Sequence, residues 1–296
     1  VGADAVTACS APLQGWQQSR CRSRPRVQRR AGAPRALGDL AFEDAVEVQA
    51  HVLPGLSVKV LEASLDWQER LVEEAVEALE TESEEVDPYG AALWPAAQVL
   101  AQAAAAHVVA AMQAQAPGAP PLRVLELGAG CGLASLSAAS LGASVLATDF
   151  RQLPLELLAE AARRQHLASR LRTQLFDVCD MSAPLPEADL VMASDLLYER
   201  STAEAMARRV AEARRRGSVV LVCDIGRPNR KVFLEGLRHT LPEESADFSA
   251  CSGVASQPKL EREGGDGKGQ DVRVEVLELP LGPAAATVRP ETPCVL

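Results

Sequence analysis

The sequence predicts an α/β protein built on a doubly wound, mostly parallel sheet, preceded by an N-terminal β-hairpin and helix extension. Three observations carry that reading. From Leu122 onward, short apolar runs of strand length alternate with segments of helical periodicity, the pattern that successive βαβ units leave in a chain. The first run passes into VLELGAGCGL (residues 124–133), an apolar strand with an acid and three alternating glycines ahead of a helix. The last run, residues 271–279, alternates apolar and polar after the glycine-rich EGGDGKGQ, as an antiparallel edge strand does.

The elements follow in order. Residues 1–40 hold seven arginines (Arg20, Arg22, Arg24, Arg26, Arg29, Arg30 and Arg35) and two acids (Asp4 and Asp39); the whole chain carries −10, so the remainder carries −15. An Arg-, Ser- and Ala-rich, acid-poor leader has the composition of an organelle transit peptide, with the chloroplast favoured over the mitochondrion. A basic tail or RNA-binding arm on a cytoplasmic protein is the alternative. The chain opens on Val1, and a longer precursor is expected. Residues 41–118 are expected to form the hairpin and helices. Residues 46–52 and 56–60 alternate around the turn pair Pro54-Gly55. Residues 65–85 place Leu71, Ala75 and Leu79 on one helical face with acids opposite. An alanine-rich helix then follows DPYGAALWP, with Pro95 in its first turn, where a missing N–H is not needed.

Residues 117–121 lead into the α/β body, 119–282, which is followed by a tail, 283–296. Strands are predicted at 122–127, 144–148, 171–176, 189–194 and 218–223, and helices near 133–141, 155–168, 202–216 and 231–241. The final strand at 271–279 is expected to pair with a weaker one around 246–255.

The glycine loop points to a ligand. It lets a nucleoside-bearing molecule lie against bare main chain at the carboxyl end of a parallel strand, with a helix N-terminus behind it. The spacing departs from the dinucleotide fingerprint GxGxxG: the third position is Leu133 counted from Gly128 and Gly130, and Ser135 counted from Gly130 and Gly132. What the chain has is ExGxGxG, with Glu126, Gly128, Gly130 and Gly132. The second strand ends at Asp149, nineteen positions beyond Gly130. One carboxylate there can accept from both ribose hydroxyls, or else cap the next helix. Phe176 could stack on adenine and Asp177 accept its exocyclic amine; core packing and an ordinary loop acid are the alternatives. The fourth strand ends at Ser194-Asp195, with Tyr198 just beyond. In a doubly wound sheet all these ends converge on one crevice.

The tract ADLVMASDLLYE (residues 188–199), taken with ExGxGxG, Trp94-Pro95 and Gly226-Arg227-Pro228, resembles the class I, seven-β-strand S-adenosylmethionine-dependent methyltransferases. Within them it is similar to the protein-lysine methyltransferases marked by a DxxY motif. DPYxxxxWP and GRP look most like the branch that includes the electron-transfer-flavoprotein β-subunit lysine methyltransferase. The likeness covers residues 87–241. It implies a Rossmann-like seven-strand fold, S-adenosyl-L-methionine as cofactor and a lysine-bearing protein as acceptor. A small-molecule N- or O-methyltransferase and a non-catalytic S-adenosylmethionine-binding module are the alternatives. Carried over residue by residue, Trp94, Gly128, Ala129, Gly130, Asp149, Phe176 and Ser194 would line the cofactor, with Glu126 and Asp177 beside them. Asp195 and Tyr198 would face the acceptor, core packing being the alternative for Tyr198. Many relatives have Trp where Phe176 stands, and an Asn in the helix after Asp149 where this chain has AEAARRQH.

Composition narrows the partners. The seven cysteines form no CxxC pair and the four histidines are far apart, which argues against a zinc site or disulfide framework and for a reducing compartment. Cys294 is third from the end rather than fourth, so the terminal CVL is not a prenylation signal. No apolar run is expected to reach the ~20 residues that cross a membrane. A body at −15 with 3% aromatic residues does not suit nucleic acid.

Overall fold

In the computed structural model, the described residues are 42, 44–80, 89–241, 260–262 and 274–279. The leader (1–40), the tail (283–296) and the stretch 246–255 expected to pair with the last strand lie outside them.

The alternating stretches around Pro54-Gly55 form the expected hairpin. β1 (Ala45–Leu53) and β2 (Leu56–Ala63) pair antiparallel with Val48 opposite Val60, and Gly55 turns the chain at φ +80°. A strand that the sequence did not suggest, β8 (Leu260–Arg262), pairs antiparallel with the other edge of β1. α1 (Leu65–Glu80) buries Leu71, Ala75 and Ala78, and leaves Leu65, Val72 and Val76 exposed.

α2 (Pro95–Ala114) begins at the expected proline and corrects one expectation. Its 20 residues are long and apolar enough, by length and composition, to cross a membrane. Gln98, Gln102 and His107 interrupt the run and hide it from a simple search for apolar stretches. In this fold it is a core helix that buries Ala96, Val99, Leu100, Ala104 and Val108.

The main sheet is built from β3 (Arg123–Leu127), β4 (Ser144–Asp149), β5 (Leu171–Leu175), β6 (Leu190–Ser194), β7 (Val219–Asp224) and β9 (Glu275–Leu279). Between them run α3 (Leu133–Ser140), α4 (Gln152–Arg164), α5 (Arg200–Arg215) and α6 (Arg230–Thr240). The order is β5-β4-β3-β6-β7-β9. The first five strands are parallel, and β9 joins antiparallel to β7 with Leu277 opposite Val222.

The central strands are apolar on both sides because both faces are covered. Val124, Leu190, Met192, Val219 and Leu221 point into one core, shared with α2, α3, α4 and the hairpin. Leu125, Leu127, Val191, Val220 and Val222 point into the other, shared with Met206 and Val210 of α5 and with Phe233 and Leu237 of α6. The described residues of 41–118 therefore pack into the same core as the α/β body. The chain steps outward in opposite directions from β3 and β6, and such a switch point opens a crevice at the carboxyl ends of those two strands.

Candidate active site

β3 carries the chain to the switch point, and Gly128, Gly130 and Gly132 follow with φ of +62°, +51° and +69°. All three are also crowded: a Cβ on Gly128 would run into the side chain of Leu196. A Cβ on Gly130 would stand 3.2 Å from the Gly90 carbonyl oxygen, and one on Gly132 would run into the fully buried side chain of Leu158. The loop is held by its own main chain: Ala129 N–H donates to the Thr148 carbonyl at 2.8 Å, and Gly132 N–H to the Ala129 carbonyl at 2.8 Å.

Sequence reasoning grouped Glu126 with the cofactor residues; the structure places it beneath the loop. It is 1% exposed, and its Oε2 accepts from Ser135 N–H at 3.0 Å and from the Ser135 hydroxyl. Burial lifts its carboxyl to about 8; the two Ser135 bonds oppose that rise, and the nearby Asp149 charge adds to it. The acid of ExGxGxG thus ties β3 to the first turn of α3.

Asp149 stands at the tip of β4, as expected, and is 5% exposed. Its Oδ2 accepts from Gly130 N–H and its Oδ1 from Arg151 N–H, both at 3.0 Å. A carboxylate offers about four lone-pair sites, so binding these donors is compatible with accepting from a diol.

Phe176 departs from the adenine-stacking expectation. Its ring is buried in the second core, and the Arg209 guanidinium lies 5.0 Å from its centroid. Arg209 is 1% exposed and donates to the carbonyls of Val178, Asp180 and Ala183, so Phe176 helps seat the cation that organises the loop after β5. Asp177 closes a local turn, accepting from Cys179 N–H at 2.8 Å.

The cleft is walled by residues 128–132 on one side and Leu93, Trp94 and Ala97 on the other, with Ser194 and Asp195 at its end. The hairpin positions the second wall. Glu62 of β2 accepts from Leu93 N–H at 3.1 Å, and Ala63 N–H donates to the Ala91 carbonyl at 2.8 Å. Trp94 donates its indole N–H to the Tyr89 carbonyl at 3.0 Å, with the two rings edge to face at 6.0 Å.

Asp195 follows β6 with φ +56°, a left-handed conformation that costs a non-glycine residue about 1–3 kcal/mol. The residue is 8% exposed. Oδ1 accepts from Arg227 Nε at 3.1 Å, and Oδ2 is buried with no hydrogen-bond partner among the described residues. Burial pushes this carboxyl up; Arg227 opposes the rise, Asp224 adds to it, and the Ile225 main-chain N–H opposes it. Arg227 was not among the residues expected at the site, although the GRP triplet was its signal. Asp224 Oδ1 fixes that triplet by accepting from Gly226 N–H at 2.7 Å and Arg227 N–H at 2.8 Å. The Arg227 guanidinium also lies 5.7 Å from the Trp94 ring centroid. Tyr198 is 45% exposed, and its carbonyl accepts from Asn229 Nδ2 at 2.8 Å. Among the described residues no group of His, Cys, Asp or Glu is placed to hold a metal.

Bare main chain at a switch point, a ribose-competent carboxylate at the next strand tip and an indole on the facing wall fit S-adenosylmethionine. A family model described as lysine methyltransferase matches residues 74–240. A curated protein-L-isoaspartate O-methyltransferase from Methylorubrum populi is 35% identical over 153 residues, 50% of this chain and 66% of that protein. The match thus spans just under two thirds of the relative's length. Among solved structures, a putative RNA methyltransferase from Pyrococcus horikoshii is 16% identical, with 61% of this chain and 82% of that one covered, at a TM-score of 0.41. TrmN from Thermus thermophilus is 24% identical, with 61% and 48% covered, at a TM-score of 0.36. With more than half of its length under the family model, the chain belongs to the lysine methyltransferase family.

Proposed function

We propose that this chain is an S-adenosylmethionine-dependent methyltransferase and that it transfers methyl groups to a lysine side chain of a protein. The observation that supports this most is Asp195, a carboxylate more than nine-tenths buried at the switch point, whose Oδ2 has no hydrogen-bond partner among the described residues and lies beside the glycine loop. An amine brings the donors that this oxygen lacks.

The cofactor, when bound, supplies an electrophilic methyl group: the amine lone pair forms the N–C bond as the S–C bond breaks and leaves a neutral thioether. The protein's own task is to hold the nucleophile in line, dry and close, which is where effective molarity accumulates. A lysine amine has an ordinary pKa of about 10.4, so releasing its proton at neutral pH costs about 4 kcal/mol. A nearby carboxylate favours the charged ammonium, so Asp195 recruits and orients the amine while the proton leaves to water.

The isoaspartate O-methyltransferase relative raises the alternative of a carboxyl acceptor. In this cleft such a group would face Asp195, and Arg227 already donates its Nε to that residue. Like charges at that spacing disfavour a carboxylate.

The test is transfer of tritiated methyl groups into cell lysate, resolved by gel and by small-molecule chromatography. Label should enter protein, and mass spectrometry should place it on lysine. Label in low-mass compounds alone would make the chain a small-molecule methyltransferase, and no label anywhere would leave a binding module. Asp195→Asn should lower transfer by about 10²-fold or more while leaving donor affinity nearly unchanged.

A further inference from the structure

We infer that Arg227 is a positioning residue that holds Asp195 by Oδ1 and offsets its charge, so that the acceptor is oriented by Oδ2 without being trapped as ammonium. This rests on the lysine reading of the site. The geometry assigns each part. Arg227 reaches Asp195 from the loop after β7, through Nε, with its side chain 18% exposed and that of Asp195 7%. Its main chain is pinned by Asp224, and its guanidinium lies near the indole of Trp94 across the cleft. Both neighbours restrict where the guanidinium can go.

The chemistry gives the arrangement a purpose. A desolvated carboxylate facing a lysine amine holds the proton on nitrogen, and a protonated nitrogen has no lone pair to attack with. A guanidinium cannot give up its own proton near neutral pH, so it stays cationic and weakens that hold without competing as an acid or base. The acceptor ammonium then loses its proton to water before the N–C bond forms, and neither Asp195 nor Arg227 changes its protonation. The other titratable or charged groups that act on this pair are Asp224 and Cys223 of β7 and, through Cys223, Arg230 of α6. Of these, Asp224 adds negative charge beside Asp195, which leaves Arg227 as the cation in direct contact with it. Lysine would keep the charge at this position but lose the planar fork that serves Asp195 by one edge while stacking toward Trp94.

The experiment uses n-butylammonium as a probe of the lysine head group, bound to the full chain saturated with S-adenosylhomocysteine, with affinity read by calorimetry. Arg227→Gln should bind the probe about tenfold more tightly than wild type, the equivalent of one pKa unit. Its kcat at saturating labelled protein acceptor should fall at neutral pH and recover at alkaline pH, the acidic limb, which belongs to the bound amine, moving up by about one unit. Arg227→Lys, which keeps the charge but not the fork, should lie between wild type and Arg227→Gln in both readouts. Arg227→Met, which keeps aliphatic packing against Trp94, is a second neutral variant should the glutamine protein fail to retain S-adenosylhomocysteine. Equal probe affinity in wild type and the neutral variants, with Asp195→Asn weakened, overturns the role of Arg227 and leaves the lysine reading standing. Probe binding that does not depend on Asp195 in any of these proteins overturns both. A loss of kcat by the same factor at every pH would make Arg227 merely structural and overturn the inference.

Discussion

Asp149 ends β4 and Glu126 stands one residue short of the end of the neighbouring parallel β3, and burial gives them different work. Asp149 meets main-chain donors of the glycine loop and of residue 151, where a ribose diol would also lie. Replacing it with alanine should remove most of the affinity for S-adenosylmethionine and S-adenosylhomocysteine in calorimetry; unchanged affinity would place the ribose elsewhere. Glu126 has its carboxyl lifted to about 8 from an ordinary value of 4.5, so between those values the folded chain binds more protons than the unfolded one. Its contribution to stability is therefore full below pH 4.5 and is lost as pH rises toward 8, by up to about 1.4 kcal/mol per unit. Glu126→Gln should flatten the fall of Tm between pH 5 and pH 8 in a thermal titration, and an equally steep fall in the variant would move the titrating group elsewhere. At this scale spacing located Gly130 in the loop after β3, Asp149 at the tip of β4 and Asp195 just beyond β6. It was silent on Arg227 against Asp195 and on Arg209 over Phe176, because those pairs meet across elements more than thirty positions apart and leave no period behind.

At the scale of elements, strands buried on both faces announce themselves as continuous apolar runs, and for that reason β3, β6 and β7 were readable to within a residue or two. β8 was not, because three residues, Leu260–Arg262, are too few to show alternation. α2 was placed correctly by its proline, yet its apolar length was masked by scattered glutamines that the interior tolerates; one of them, Gln98, is 4% exposed. The turn from the glycine loop into α3 is the most demanding join in the fold, since Gly132 combines left-handed backbone with contact against a leucine that has nowhere to move. Gly132→Ala should destabilise the protein by about 1–3 kcal/mol, read as a lower urea midpoint with an unchanged m-value. It should also weaken S-adenosylhomocysteine binding, because the same turn sets the main chain that faces the cleft. A midpoint within error of wild type would show that Leu158 can shift.

Over the whole molecule, the hairpin, α2 and the sheet join in building one cleft: β2 fixes the wall that carries Trp94, β3 supplies the loop and β6 supplies Asp195. The doubly wound topology was legible because alternation and glycine spacing agree. The use of the hairpin as part of the wall was not, since it depends on one buried glutamate, Glu62, reaching a main-chain N–H thirty-one positions away. Charge acts at this scale as well. Beyond residue 40 the chain carries −15, a field that draws a cationic segment toward the cleft before any contact forms. If the acceptor is a lysine on a basic protein surface, kcat/KM should drop by about tenfold between low and high ionic strength, over a range in which the screening length shrinks from about 30 Å to a few ångströms. The value of kcat should hold steady, because the contacts at Asp195 are buried and screened far less. Steady-state kinetics across a salt series with the labelled acceptor separates the two parameters. A kcat/KM that ignores salt would mean that the acceptor arrives without help from the body's charge, and would favour a neutral or small substrate.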